Sequence, residues 1–206
     1  FRRVLFRSYT MSLLSWNPDA RDRVRAEATE VLSGGPPTHG DLADLEYTKR
    51  AYREALRLYP PAWAVFRRAN GEVELGDYLI EDGSAIVMPL WTIHRDGRYF
   101  ENPETFDPDR WRRRDPKSVA AYRPFSSGPH ACIGQGFALS GATLVLARLV
   151  RDFDFRVVAF DDATVRLSVV LEGLLRDGRG EVRTDFDVLE GVFTREGGLE
   201  GTVFVD

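Results

Sequence analysis

The only cysteine of the chain, Cys132, lies in the stretch FSSGPHACIG, which runs from Phe125 to Gly134. Glycine and proline interrupt regular structure before it, and the apolar run from Gln135 to Val150 predicts a helix directly after it. The unpaired N–H groups and partial positive charge of a helix N-terminus favour a thiolate over a thiol. A thiolate here would be a metal ligand, although a lone cysteine is otherwise most often a small buried hydrophobe.

The residues around Cys132 suit a flat, partly anionic ligand. Gly128, Gly134 and Gly136 carry no β-carbon, so a planar group could lie close against this backbone. We expect Phe125 to shield the sulfur from one side, and His130 to donate a hydrogen bond to an anionic edge of the ligand.

The spacing F-x-x-G-x-x-x-C-x-G resembles the haem-binding loop of the cytochrome P450 superfamily. This resemblance implies that Cys132 is the proximal ligand of the iron of haem b, with Phe125, Gly128, His130 and Gly134 in contact with the cofactor. It gives His130 a propionate as its partner. Thiolate ligation of this kind pushes electron density toward the iron and favours O–O cleavage.

A second motif, EALRLYPP from Glu54 onward, resembles the E-x-x-R helix of the same superfamily. By itself, a glutamate three residues before an arginine on a helix is most often a surface ion pair, which stabilises the helix by a few tenths of a kcal/mol. The resemblance supplies a third member from the segment Pro-Asp-Arg-Trp, namely Arg110. We therefore expect Glu54, Arg57 and Arg110 to form an ionic network that is structural and does no acid–base chemistry.

The elements that must hold these residues follow from periodicity and turn signals. The chain is expected to be mainly α with small antiparallel β-sheets. Predicted helices cover Tyr9–Trp16, Asp19–Leu32, Tyr47–Leu58 and Gln135–Val150, with a short turn after Asp41. Predicted strands cover Ala64–Arg68, Val73–Leu75, Tyr78–Ile80, Ala85–Pro89 and Phe153–Phe160.

Two arginines and two histidines remain to be interpreted. Arg67 resembles the superfamily's haem-propionate arginine by its position after the E-x-x-R helix, whereas Arg68 is better explained as solvent-facing. His94 has no second ligand at metal-site spacing, so a hydrogen-bonded structural role is expected. His39 lies in a Pro/Gly loop and supports no functional assignment.

The composition describes a globular chain. It has 206 residues, 43% of them hydrophobic, a net charge of −4 and one cysteine. These values support a core of ordinary size, argue against nucleic acid as the main partner, and exclude an intrachain disulfide. With neither a membrane-length apolar stretch nor a secretory signal, the sequence predicts a soluble, cytoplasmic protein.

The resemblance covers most of the chain from Tyr9 to Phe160, and less of it near the C-terminus. Residues 1–8 are interpreted as a non-native or truncated lead, and residues 9–206 as the C-terminal portion of a cytochrome P450 domain. The fold would then be a truncated cytochrome P450 fold lacking its N-terminal half. Arg166 to Glu190 is expected to be an insert or a divergent stretch, with a turn at Asp177–Gly180 and a closing strand pair at Thr194–Leu199.

The function implied by the resemblance is that of a haem-thiolate monooxygenase, which inserts one oxygen atom of O2 into a small apolar substrate. Its expected electron donor is a ferredoxin or a flavoprotein reductase, docked near Arg123 and Lys117 if that partner is acidic. Two alternatives stay open: a haem-binding or sensing module without oxygen insertion, and an orphan fragment that does not bind haem. The residues that activate oxygen on the distal side are not identified in this sequence.

Overall fold

The structure is a computed structural model. It describes the backbone of residues 2–33, 35–161, 164–176 and 182–194, and the side chains of residues 9–33 and 35–155. The turn expected at Asp177–Gly180 lies outside the described residues, as do all but the first residue of the strand pair expected at Thr194–Leu199.

All four predicted helices are present, and three of them end at the predicted Trp16, Leu32 and Leu58; two further single helical turns are not predicted by the sequence. The helices are α1 (Arg2–Trp16), α2 (Pro18–Leu32), α3 (Glu46–Leu58), the single turns α4 (Leu90–Ile93) and α5 (Arg110–Arg113), and α6 (Gln135–Asp152). Proline at the start of α2 costs no helical hydrogen bond, because the first N–H groups of a helix have no partner inside it. The first helix begins at Arg2, well before the predicted Tyr9.

Helices α1, α2, α3 and α6 enclose the main hydrophobic core. Each contributes a fully buried aliphatic side chain: Leu14, Val24, Ala55 and Val150, respectively. Burying a leucine or valine side chain stabilises the fold by about 1.5–3 kcal/mol. The core therefore fixes α3, which carries the E-x-x-R motif, against α6, the helix that follows the cysteine.

Two polar contacts of α2 join these helices at their ends. The Glu27 carboxylate accepts hydrogen bonds from the N–H groups of Tyr47 and Thr48, at 2.6 and 2.7 Å, and so caps the start of α3. Arg25 donates to the carbonyls of Val150 and Phe153, at 2.8 and 2.9 Å, where α6 ends. Positive charge is favourable at this end of a helix.

The four short strands form two separate two-stranded sheets. Strand β1 (Val65–Arg68) pairs with β4 (Ala85–Met88), and β2 (Val73–Leu75) pairs with β3 (Tyr78–Ile80), both antiparallel. The β2–β3 hairpin closes tightly because Gly76 has a φ of 60°, which side chains disfavour. The β1–β4 pair lies beside the cysteine loop and is the sheet that matters for the site.

The last part of the chain forms a three-stranded antiparallel sheet. Its order is β5 (Asp154–Asp161), β6 (Thr164–Arg176) and β7 (Val182–Thr194). The segment Arg166 to Glu190, expected to be an insert or divergent, thus lies mostly in two paired strands. In the described part of the chain, none of the helices has the length and apolar character that crossing a membrane requires.

Candidate functional site: a cysteine loop beside an apolar cavity

Cys132 is exposed and lies in a loop held by its own backbone. Its N–H donates to the Phe125 carbonyl at 2.9 Å, and its carbonyl accepts from the Gln135 N–H at 3.2 Å. Gly128 opens a single 3-10 turn with a φ of 63°, a conformation that costs other residues about 1–2 kcal/mol. Helix α6 begins at Gln135, so Cys132 precedes its first turn and is not part of it.

The cysteine lines a cavity of about 310 Å³. Phe125 and His130 line the same cavity. The aromatic ring and the imidazole that were predicted to flank the ligand therefore lie beside the same cavity as Cys132. Apart from Ser126, the rest of the wall is mainly apolar. It comes from α3, the loop after it, β1, α4, the segment before the cysteine and α6: Tyr52, Leu56, Pro61, Ala62, Val65, Leu90, Pro124 and Ala138. Leu56 and Pro61 belong to the EALRLYPP motif, but the motif gave them no role in the site, and the other apolar wall residues lie in no motif.

Two glycines of the cysteine loop leave space that a side chain would occupy. A β-carbon at Gly134 would lie 3.9 Å from Cys132 Sγ, so any larger side chain there would compete for space beside the thiol. A β-carbon at Gly128 would meet no atom within 4 Å, so this residue faces open space.

Arg67 and His130 line an adjoining cavity of about 320 Å³, together with Ser126. Arg67 Nη2 donates to Ser126 Oγ at 3.2 Å, and Nη1 donates to the Phe66 carbonyl at 2.8 Å. Alternation along β1 leaves Val65 and Arg67 half-buried on the inner face and puts Arg68 on the exposed outer face. Arg67 and Arg68 therefore face opposite sides of the sheet.

These residues fit a haem by their chemistry. A macrocycle with an apolar body needs apolar walls, its iron needs a soft donor, and its propionates need cations. The first cavity combines apolar walls with the Cys132 thiol, and the adjoining one contains the Arg67 guanidinium and the His130 imidazole.

Glu54 and Arg57 form a fully buried pair on α3. Arg57 donates from Nε and Nη2 to the two carboxylate oxygens, at 3.1 and 2.8 Å. Arg110 Nε donates to the same carboxylate at 3.3 Å, so the structure brings all three residues together. A carboxylate held by two guanidinium groups is geometrically specific, and breaking it inside a protein is costly.

The two arginines also bind backbone carbonyls, which sequence reasoning missed. Arg57 uses its remaining N–H groups on the carbonyls of His94, Pro103 and Thr105, at 2.8, 2.5 and 3.1 Å. Arg110 donates to the carbonyls of Glu101 and Asn102, at 2.6 and 3.2 Å. The network thus organises the loop between α4 and α5, and no local motif could reveal these partners.

His94 is a fully buried, hydrogen-bonded histidine. Its Nε2 accepts the Arg123 N–H at 3.1 Å, so the proton of the neutral ring belongs on Nδ1. Burial lowers the pKa of the His94 imidazole to about 4, and the positive charges of Arg57 and Arg95 act in the same direction. The backbone of Arg57 has the opposite effect and raises the pKa of His94. Nδ1 itself makes no hydrogen bond to any described residue.

A third cavity, of about 400 Å³, is also lined by residues of the cysteine loop, among them Phe125 and Ala131. It includes Arg53, Lys117 and Arg123 and one acidic residue, Asp115, so positive side chains predominate. The Arg123 guanidinium is partly engaged, because its Nη1 donates to two backbone carbonyls at 2.9 Å. Lys117 is exposed.

Comparisons with known proteins agree with these features. A profile of the cytochrome P450 family matches residues 7–174, which extends past the predicted limit at Phe160. Cyclooctatin synthase of Streptomyces melanosporofaciens is 38% identical over 72% of this chain and 34% of its own length. Pentalenene oxygenase of Streptomyces avermitilis is 37% identical over 77% of this chain and 35% of its own length.

A human protein, cytochrome P450 3A5, is 31% identical over 94% of this chain and 37% of its own length. The chain thus spans about a third of the length of the curated relatives it matches. A family match over most of the chain, together with a cysteine loop beside an apolar cavity, leads to one conclusion. The chain belongs to the cytochrome P450 family.

Proposed function

We propose that this chain carries the haem-thiolate part of a monooxygenase that inserts one oxygen atom of O2 into a small apolar substrate. One observation carries the proposal: the exposed Cys132 thiol lines an apolar cavity that adjoins a second cavity containing Arg67. Haem b bound there would supply O2 binding and activation, with electron donation from the thiolate. Pentalenene oxygenase, a relative named as an oxygenase, supports the same activity.

In this proposal, the loop residues have separate tasks. Cys132 provides the thiolate, Phe125 covers one side of it, and Gly128 and Gly134 leave space for the macrocycle. Arg67 binds a propionate through its guanidinium, because a charged donor to a carboxylate forms a stronger hydrogen bond than a neutral one, and His130 donates a ring N–H to a propionate.

The network of Glu54, Arg57 and Arg110 has a supporting task. It fixes α3, whose residues Tyr52 and Leu56 form part of the cavity wall, against the loop that precedes α5. We propose that it keeps the wall in place and transfers no proton. Residues 9–206 then form the C-terminal portion of a cytochrome P450 domain, preceded by a short lead of residues 1–8.

Electrons would come from a ferredoxin or a flavoprotein reductase. The surface around Lys117 and Arg53 suits an acidic partner, because positive side chains predominate there. Lys117→Glu tests this docking better than a change at Arg123, whose guanidinium binds backbone carbonyls. The variant should slow reduction and weaken its dependence on salt; unchanged salt dependence would exclude this surface.

The decisive experiment is a carbon monoxide difference spectrum of the reduced, haem-loaded chain. Thiolate ligation predicts a strongly red-shifted Soret band for the parent chain and its loss in Cys132→Ser, with His39→Gln, an exposed change, as the control. The same red-shifted band in Cys132→Ser would exclude this ligand. A parent chain that binds no haem would contradict the proposal and favour an orphan fragment.

A sensing module without oxygen insertion makes a different prediction. It would show the thiolate spectrum but no product when reductant, O2 and apolar substrates are supplied. Product formation that depends on Cys132 separates the monooxygenase from that alternative.

A further inference from the structure

We infer that His94 is a positioning residue for the cysteine loop. Its imidazole Nε2 accepts the Arg123 N–H, and Arg123 begins the turn that contains Phe125, whose carbonyl in turn accepts the Cys132 N–H. The inference rests on the proposed role of Cys132 as the thiolate. It assigns His94 a specific task, which is to determine where the loop leaves the folded core.

The contacts form a continuous path from the buried network to the cysteine. Arg57 Nη1 donates to the His94 carbonyl at 2.8 Å, and His94 Nε2 accepts from the Arg123 N–H at 3.1 Å. The Arg123 carbonyl then accepts the Ser126 N–H at 3.0 Å, which closes a tight turn around Phe125. The Phe125 carbonyl finally accepts the Cys132 N–H at 2.9 Å.

His94 is suited to this task because it cannot move easily. Its exposed fraction is 0%, and its own N–H donates to the Leu90 carbonyl at 2.8 Å. Its ring packs against those of Phe100 and Tyr122, with centroid distances of 6.4 and 5.5 Å. A buried ring with these contacts and an anchored backbone presents Nε2 in one direction.

The imidazole must be neutral to accept the Arg123 N–H. The charged and titratable groups around it are Arg57 from α3, Arg95 from its own segment, and Tyr122 and Arg123 from the segment that leads into the loop. The described residues place no carboxylate against the ring that would favour its protonation. These surroundings keep Nε2 available as an acceptor.

Two substitutions separate this task from general packing. His94→Leu fills much of the same space but removes the acceptor, which leaves the Arg123 N–H unsatisfied. His94→Gln keeps an oxygen that reaches the position of Nε2. Both leave the backbone contacts of residue 94 with Arg57 and Leu90 in place.

The first measurement is amide hydrogen exchange on the full chain without haem. His94→Leu should speed exchange at the amides of Arg123 and Cys132 by about tenfold or more, because a buried donor loses its partner. His94→Gln should restore protection close to that of the parent chain. Amides in α2 should not change in either variant, because this helix makes no contact in the path described above.

The second measurement is the carbon monoxide spectrum of the haem-loaded variants. His94→Leu should lose part of the thiolate band in favour of a thiol-ligated form, and His94→Gln should recover it. Cys132→Ser separates the two proposals: it abolishes the thiolate band, yet the Arg123 amide should stay protected. Thiolate ligation can thus fail while the positioning role holds.

Unchanged exchange at Arg123 and Cys132 in His94→Leu would overturn the inference. If His94→Leu does not fold, His94→Gln decides: a folded variant with an unprotected Arg123 amide would contradict it. Failure of both variants to fold would also contradict it, because glutamine retains the acceptor on which the inference depends.

Discussion

The Arg57 guanidinium donates to both carboxylate oxygens of Glu54, at 3.1 and 2.8 Å, where neither side chain reaches solvent. All five N–H groups of Arg57 have partners, three of them bonds to carbonyls of residues far along the chain. This pair therefore links helix α3 to the loop before α5, and it does more than stabilise one helix.

Arg57→Lys should lower the free energy of unfolding by about 3–5 kcal/mol, because lysine keeps the charge but cannot reproduce the planar fork. Urea unfolding followed by circular dichroism measures the change. Arg98→Lys, which alters an exposed arginine paired with Asp96, serves as the control and should have no measurable effect. A loss below about 1 kcal/mol for Arg57→Lys would mean that the network is not structural.

The stability of the chain should depend on the protonation of His94. Because burial lowers its pKa from 6.5 to about 4, the folded state binds fewer protons than the unfolded state between these values. Its contribution of about 3 kcal/mol is fully present above pH 6.5 and is lost as the pH falls toward 4.

Urea unfolding of the parent chain and of His94→Gln across this pH range checks the prediction. The stability of the parent chain relative to His94→Gln should fall by about 3 kcal/mol between pH 7 and pH 4, because all other titrating groups are common to both. A difference that stays constant between pH 7 and pH 4 would show that His94 does not titrate as described.

Arg67→Gln should weaken haem binding by about tenfold, because a charged donor to a propionate is replaced by a neutral one. Arg68→Gln is the matched control, since Arg68 is the next residue and lies on the exposed face of β1. Titration of each variant with haem measures the affinity. Equal losses in both variants would indicate a general charge effect and not a propionate contact.

Glu27→Ala should destabilise the chain by about 1–2 kcal/mol, because the N–H groups of Tyr47 and Thr48 at the start of α3 lose their acceptor. Glu30→Ala removes an exposed carboxylate from the same helix and should change little. Thermal unfolding of the two variants makes the comparison. A similar small effect for both would mean that Glu27 does not cap α3.

Some parts of the fold and of the candidate site could be read from local patterns. Strands β2 and β3 have the predicted ends, and α3 ends at the predicted Leu58 before two prolines. Periodicity and glycine or proline signals depend only on neighbouring residues, so they predict these elements without knowledge of the whole fold. The cysteine loop was recognisable for the same reason.

Other features depend on residues that are distant in the chain. Alternation predicts that Arg67 and Arg68 face opposite sides of a strand, but only the packing of β1 beside the cysteine loop decides which side faces the cavity. Strand β1 pairs with β4 and not with its neighbour β2, so the four strands form two small sheets. This choice of partner likewise depends on long-range contacts.

The sequence by itself determined the family, the cysteine proposed as the haem ligand and the three ionic residues of the network. Tertiary structure alone decided that Arg57 binds the His94 carbonyl and that His94 accepts the Arg123 N–H. Backbone carbonyls and N–H groups are present at nearly every residue, so no sequence pattern identifies which of them becomes a partner. The tertiary packing that buries these backbone groups determines which of them become hydrogen-bond partners.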